Sequence, residues 1–293
     1  MEAPFGILKF KYAYDLAGRI CQLILENREE EYLADYFQPN DEDFQRRIAI
    51  PQKDTLLHDF IKIYWQNDIE EAIDHNGDIF LADYLEELLK TYGVNIEMSR
   101  PKFIKEHIDP NKYSKEIEEM NKYLHHIRSK PKCNEEIFDF EKYNDDMDEY
   151  LNYLESLIGS IKEFITKDTF YLLFNDRLFL QKFNLIVSEV IKNMKKDDYP
   201  EIMKKDGVIV RFESPPVWLK NAVFFRDRGR CQVCGGDLSG LLCIGANIHY
   251  DHIVPLDKGG NNDPTNFQIL CAEHNLEKGI ENTVTSETYQ VFW

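Results

Sequence analysis

Two short pairs of metal-binding side chains stand near the C-terminus: Cys231-Gln232-Val233-Cys234 and Cys271-Ala272-Glu273-His274. Together they read C-x2-C-x36-C-x2-H. Thiolates and an imidazole are soft or borderline donors, and each pair can grip one Zn²⁺ from a tight turn, so two pairs complete a tetrahedron. A single CxxC could also be two small buried hydrophobes; the second pair is what argues for metal. Zinc binding of this kind is folding energy, about 10–16 kcal/mol apparent in small zinc peptides. This segment, short of large apolar residues, needs it. Of the six cysteines, Cys231, Cys234, Cys243 and Cys271 crowd into the last quarter, whereas Cys21 and Cys133 stand apart. That distribution is not a disulfide framework spread over a fold, and in a reducing compartment it points to metal. Cys243 is expected to pack rather than to ligate.

Between the pairs runs Ile248-His249-Tyr250-Asp251-His252-Ile253-Val254-Pro255, then Leu256-Asp257-Lys258-Gly259-Gly260 and Asn266-Phe267-Gln268-Ile269-Leu270. Asn275-Leu276-Glu277-Lys278-Gly279 follows the second pair directly. In this order the residues resemble the HNH endonuclease family, whose pattern is Asp-His-Ile-x-Pro, Gly-Gly, Asn-Leu-x-x-Leu-Cys and Asn-x-x-Lys-Gly. The stretch Val223–Arg230 is similar to the family's lead-in to its first CxxC. One departure is His274, where the family more often has cysteine; four ligands remain. The resemblance implies a ββα-metal fold, with two strands carrying the first motif and a helix carrying the last.

The residue types suit phosphodiester hydrolysis, in which a water attacks in line with a leaving 3′ oxygen while charge builds on that oxygen. His252 is suited to take the water's proton, because a neutral imidazole titrates near working pH. Asp251 and Asn275 offer hard oxygen donors for Mg²⁺ or Mn²⁺, which would stabilise the leaving oxygen as a Lewis acid. Asn266 is expected to hold the His252 ring. His249, on the same side of a strand as Asp251, is a neighbour of that site. His274 and Asn275 point about 100° apart on a helix, so the first can serve the structural zinc and the second the catalytic ion. Lys278 either contacts phosphate or closes the helix end before Gly279. Arg226, Arg228 and Arg230 are the expected nucleic-acid contacts.

These residues need positioning elements, and the chain divides in texture. Residues 1–205 read as an acidic α-helical domain and 206–293 as the nuclease domain, an α+β chain overall. Apolar residues at spacings of three and four mark helices: Leu151, Leu154, Leu157, Ile161 and Ile165; Leu178, Phe183, Ile186, Val190 and Met194; Ile20, Leu23, Ile24, Tyr32 and Leu33. Pro4, Pro39, Pro51, Pro101, Pro110 and Pro131 fall between them. The boundary lies in Lys195–Pro216, where Val208-Ile209-Val210 could form a short strand. Asp74-His75-Asn76-Gly77-Asp78 has its glycine in the wrong place for a calcium loop and reads as a turn. His125-His126 and Glu29-Glu30-Glu31 read as helix-face residues without metal.

Formal net charge is −18 over 293 residues. From Gly207 onward seven Lys and Arg face ten Asp and Glu, a net of −3 that leaves −15 on the remainder. Phosphate affinity comes from Lys and Arg that displace counterions, so the N-terminal part is unsuited to a broad nucleic-acid surface. It fits protein docking or DNA mimicry better. The start lacks a basic and apolar leader and no run approaches the roughly 20 apolar residues of a membrane helix, so a cytoplasmic protein is expected. HNH enzymes with an extra helical domain resemble those of bacterial restriction and antiphage defence, which implies a DNA substrate and a partner such as a defence ATPase or sensor subunit. The motif also admits RNA as substrate, or a zinc-stabilised binding module that has lost catalysis.

Overall fold

The computed structural model describes residues 5–26, 36–101, 140–240 and 247–286; the side chains of 5–11, 68, 70–80 and 140–143 are not described. Tyr32, Leu33, Cys133, Cys243, the paired histidines at 125 and 126, and the acidic run at 29–31 lie outside these residues, as do Pro4, Pro110 and Pro131.

Among the described residues, five helices open the chain: α1 (Phe5–Leu25), α2 (Glu42–Ala49), α3 (Leu56–Thr91), α4 (Phe140–Phe174) and α5 (Arg177–Asn193). The apolar spacing that predicts them is the spacing that is buried. Ile20 and Ile24 on α1, Leu151, Leu154, Ile161 and Ile165 on α4, and Phe183, Ile186 and Val190 on α5 are inside. The starts are fixed by side chains. Asp41 accepts from Asp43 N at 2.8 Å at the head of α2, and Asp176 accepts from Phe179 N at 3.0 Å at the head of α5. The 74–78 segment, expected as a turn, is helix within α3. One glycine costs a helix only about 1 kcal/mol, less than the continuous helix on either side supplies.

By compactness the chain divides into Met1–Ile69 with Lys162–Trp293, and Glu70–Ile161. The expected 205/206 division follows sequence character, whereas the compact units are cut inside α3 and α4. The second unit has its own core of Leu81, Leu85, Leu88, Leu89, Met147, Tyr150 and Leu154, and Tyr150 Oη donates to Glu86 at 2.9 Å.

In the first unit Phe37, Phe60 and Phe183 meet with ring centroids 5.6–6.1 Å apart. Among the described residues, two small antiparallel pairs follow these helices. β1 (Met203–Lys205) pairs with β2 (Val208–Ile209), and β3 (His249–His252) pairs with β4 (Phe267–Leu270). Helix α6 (Val217–Arg226) precedes β3, and α7 (Ala272–Lys278) follows β4, which completes a ββα unit. Leu219, Val223, Cys231, Leu238, Phe267, Ile269 and Leu270 form its core. It is a small core, as expected of a segment that leans on metal.

Candidate metal and catalytic site

The zinc pairs close on one another although 36 residues separate them. The ligand atoms of Cys231, Cys234, Cys271 and His274 all lie within 4.8 Å of each other. His274 Nδ1 is 3.0 Å from Cys271 Sγ and 3.8 Å from Cys231 Sγ. The first pair sits in a knuckle closed by Cys231 N to Gly236 O and Gly235 N to Cys231 O, both 2.9 Å. The second pair uses the head of α7, where His274 N approaches Cys271 Sγ at 3.5 Å. Burial raises the Cys231 thiol, but the N–H groups of Cys234, Cys271 and Val233 draw it down to about 7, a bias toward the thiolate that binds metal. His274 Nε2 turns toward Glu277 at 3.8 Å, a carboxylate placed to orient the ring. Two pairs from two turns form a ligand set suited to structural zinc.

On β3, Asp251 pairs with Gln268 and His252 with Phe267. The loop that joins β3 to β4 is buried without interruption from Gly259 to its end. Gly259 takes φ +81°, and a Cβ there would meet Ser188 O of α5 at 2.7 Å; at Gly260 it would meet Val254 O at 2.0 Å. Only glycines let the loop close this tightly. Its polar groups are satisfied by the helices. Asp263 accepts from Leu56 N at 2.9 Å at the head of α3, and Asn261 donates to Asn184 of α5 at 3.0 Å. Burial pushes the Asp263 carboxyl up to about 6.

The His252 ring is held by Asn262, which sequence reasoning passed over. Asn262 Nδ2 donates to Ala49 O at 3.0 Å and Val210 O at 2.8 Å, and Oδ1 accepts from Phe212 N at 3.3 Å. With both amide hydrogens spent, Oδ1 can only accept, so its 3.2 Å contact with His252 Nε2 requires the ring to carry its proton there. Nδ1 is then the lone-pair nitrogen, buried and without a hydrogen-bond partner. Burial, then the charge of Arg211, lowers the ring to about 3 against the pull of Asn262, so it is neutral near pH 7 and does not titrate near working pH as its residue type suggests. In sequence Asn262 looks like one more turn residue; its partners at 49, 210 and 212 are invisible there.

Three expected roles change. Asn266 does not touch the His252 ring: its amide binds Val254 N and O and Asn261 O at 2.8–3.0 Å, and so fixes the backbone after His252. Lys278 does not face solvent. Its side chain is 2% exposed and its Nζ sits 2.8 Å from Asp251 Oδ2 and 2.6 Å from His252 O, so it braces β3 from α7. Arg226 is buried as well, with Nε 2.8 Å from Asp227 Oδ1 and its guanidinium over the Phe174 ring at 5.0 Å. Both cations are buried on internal partners. Arg228 is exposed, and Arg230 donates to Gly235 O at 3.0 Å beside the zinc knuckle.

Asp251, His252, Arg211, Lys204 and Asp257 line one pocket of about 70 Å³, enough for a few water molecules or a small hydrated ion. Asp251 Oδ2 is engaged by Lys278 and, at 3.4 Å, by Gln268; Oδ1 makes no hydrogen bond among the described residues. Asn275 is half-buried and lies three residues before Lys278 on α7, a spacing that shares a helix face. It is not among the residues that line the pocket. In kind, a carboxylate oxygen and an amide oxygen fit a hard divalent cation. His249 is half-buried opposite Leu270.

With this geometry in view, residues 231–281 match the family model of the HNH endonucleases. The chain carries an HNH endonuclease domain, a class that acts on nucleic acid, with a Cys3His cluster consistent with stabilisation by zinc. No curated protein and no solved structure matches the chain. Among the described residues no helix is long and apolar enough to cross a membrane.

Proposed function

We propose that the chain is a metal-dependent endonuclease or nickase that hydrolyses DNA phosphodiester bonds, with residues 206–293 as its nuclease part. The observation that carries this reading is His252, a neutral ring that lines the pocket Asp251 shares and whose buried Nδ1 has no hydrogen-bond partner. A water there gives its proton to Nδ1 as its oxygen bonds to phosphorus. The bond to the 3′ oxygen breaks in line, and that oxygen takes a proton from solvent. Asn262 keeps the ring in the accepting tautomer, Asn266 fixes the chain behind it, and Lys278 holds Asp251. Asp251 and Asn275 would hold a Mg²⁺ or Mn²⁺ ion, which would supply Lewis-acid stabilisation of the leaving oxygen. The acidic residues 1–205 select target, partner or state, with a defence ATPase or sensor subunit as partner and antiphage defence or restriction as context. Their excess of acid, −14 of the total −18, supports docking to protein over docking to DNA.

Incubation of the protein with plasmid DNA, and separately with RNA, in Mg²⁺ or Mn²⁺ tests this. Plasmid cleavage by the wild type and not by His252→Ala is the expected result; cleavage of RNA alone overturns the DNA assignment.

One observation favours a second reading, a zinc-stabilised binding module without catalysis: the Lys278 ammonium already sits against Asp251. Calorimetry with Mn²⁺ separates the two. Binding that Asp251→Ala abolishes supports the enzyme, and no binding at all supports the silent module.

A further inference from the structure

A nuclease must hold the phosphate it cuts, and two of the expected cations, Arg226 and Lys278, are buried on internal partners. The pocket nevertheless has a cationic wall from an element outside the family match, the β1–β2 hairpin and the chain just after it. Lys204 and Arg211 both line it, both are exposed, and neither has an ion-pair or hydrogen-bond partner among the described residues. Their neighbour Lys205 is different, since it pairs with Asp257 at 3.4 Å. The backbone on both sides of Arg211 is clamped by one side chain: Asn262 accepts from Phe212 N and donates to Val210 O while it contacts His252 Nε2. The base of Arg211 and the imidazole therefore share a single rigid anchor, and Gly207 N ties the hairpin to Met194 O, just past the end of α5, at 3.0 Å.

We propose that Arg211 is the phosphate-gripping residue of the site, assisted by Lys204, and that Asn262 sets its register with His252. The inference rests on the nuclease reading and names the contacts its substrate makes. A guanidinium suits this place because its planar fork can take two oxygens of one phosphodiester. An exposed cation without a partner in an acidic chain also loses no internal ion pair when phosphate arrives.

Binding, rather than cutting, separates this inference from the one beneath it. The uncleaving His252→Ala protein is titrated with a fluorescent DNA duplex and with single-stranded RNA across about 50–200 mM salt. Adding Arg211→Ala is expected to weaken binding about 10–100-fold and to lower the salt slope by roughly 0.9, one B-DNA phosphate. Arg211→Lys restores the slope but only part of the affinity, and Lys204→Ala has a smaller effect. Zinc content and thermal unfolding stay at the parent's values, because both side chains are exposed. If the parent binds and Arg211→Ala leaves affinity and slope unchanged, the grip is wrong and the nuclease reading stands. If RNA binds in place of DNA with the same Arg211 dependence, the grip stands and the substrate changes. If the parent binds neither nucleic acid, both readings fall together.

Discussion

Asn262 Oδ1 lies 3.2 Å from His252 Nε2, and the same amide reaches Ala49 O, Val210 O and Phe212 N. One buried side chain therefore joins the imidazole, the β2 exit and the end of α2. The helices that precede the HNH segment mould its central loop, although nothing in the HNH motif calls for them.

Asn262→Ala should cost about 3 kcal/mol or more in denaturant unfolding, since it strands buried groups that cost ~1–3 kcal/mol each, not additively. Asn262→Asp keeps the acceptor and loses both donors, so it should lose stability while His252 keeps its proton on Nε2. Nitrogen-15 shifts of the ring at mildly alkaline pH read the tautomer. A ring that is unchanged in Asn262→Ala would contradict the hold described here.

The Cys231, Cys234, Cys271 and His274 cluster should bind zinc in the purified protein, as elemental analysis will report. Cys271→Ser removes a ligand that also heads α7, and Cys231 belongs to the core with Leu219 and Val223. Loss of zinc and a lower unfolding temperature are expected together. His274→Cys should retain zinc, because the ligand count and the soft character of the set survive.

His58 gives the stability a pH dependence. His58 Nδ1 accepts from Thr55 N at 3.1 Å while Thr55 Oγ1 accepts from His58 N at 3.4 Å, a reciprocal cap at the head of α3. Burial lowers this histidine to about 4. The folded state refuses a proton that the unfolded chain accepts below its ordinary value near 6.5. This contribution to stability is whole above about pH 6.5 and is lost as pH falls toward 4, roughly 2–4 kcal/mol at full extent. Chemical denaturation of wild type and His58→Gln across that window should show a shallower slope for the variant. Equal slopes would remove His58 from the account.

Gly260→Ala should be among the most damaging single changes, because its Cβ would stand 2.0 Å from Val254 O, a backbone atom that Asn266 also binds. A loss of order 3 kcal/mol or more is expected, with proteolysis in the 254–266 loop as the reporter. Wild-type resistance in the variant would mean that the loop has slack the structure does not show.

The zinc ligands and the helical spans were legible because both are local. CxxC and CxxH are four-residue geometries, and a three–four apolar spacing declares its own face. Burial of polar residues was not legible, because partners far along the chain decide it. Arg226 finds Asp227 and Phe267 O, Lys278 finds Asp251, and Asn262 finds residues 49 and 210. Each looks in sequence like an ordinary surface or turn residue. The same cause hid Asn262: Asn266 carries the family motif and binds the backbone, whereas Asn262, four residues earlier, meets the ring. The 74–78 segment misled in the other direction, where a local turn signal yielded to the long helix around it.

The account turns on the lone pair of His252 Nδ1 as acceptor of the attacking water's proton. The direct measurement is the plasmid-cleavage rate of wild type and His252→Ala in Mn²⁺, with zinc content and unfolding temperature matched between them. A general base contributes about 10²–10⁴-fold, so cleavage should fall by that factor in the variant. A variant that cuts as fast as wild type would contradict the account.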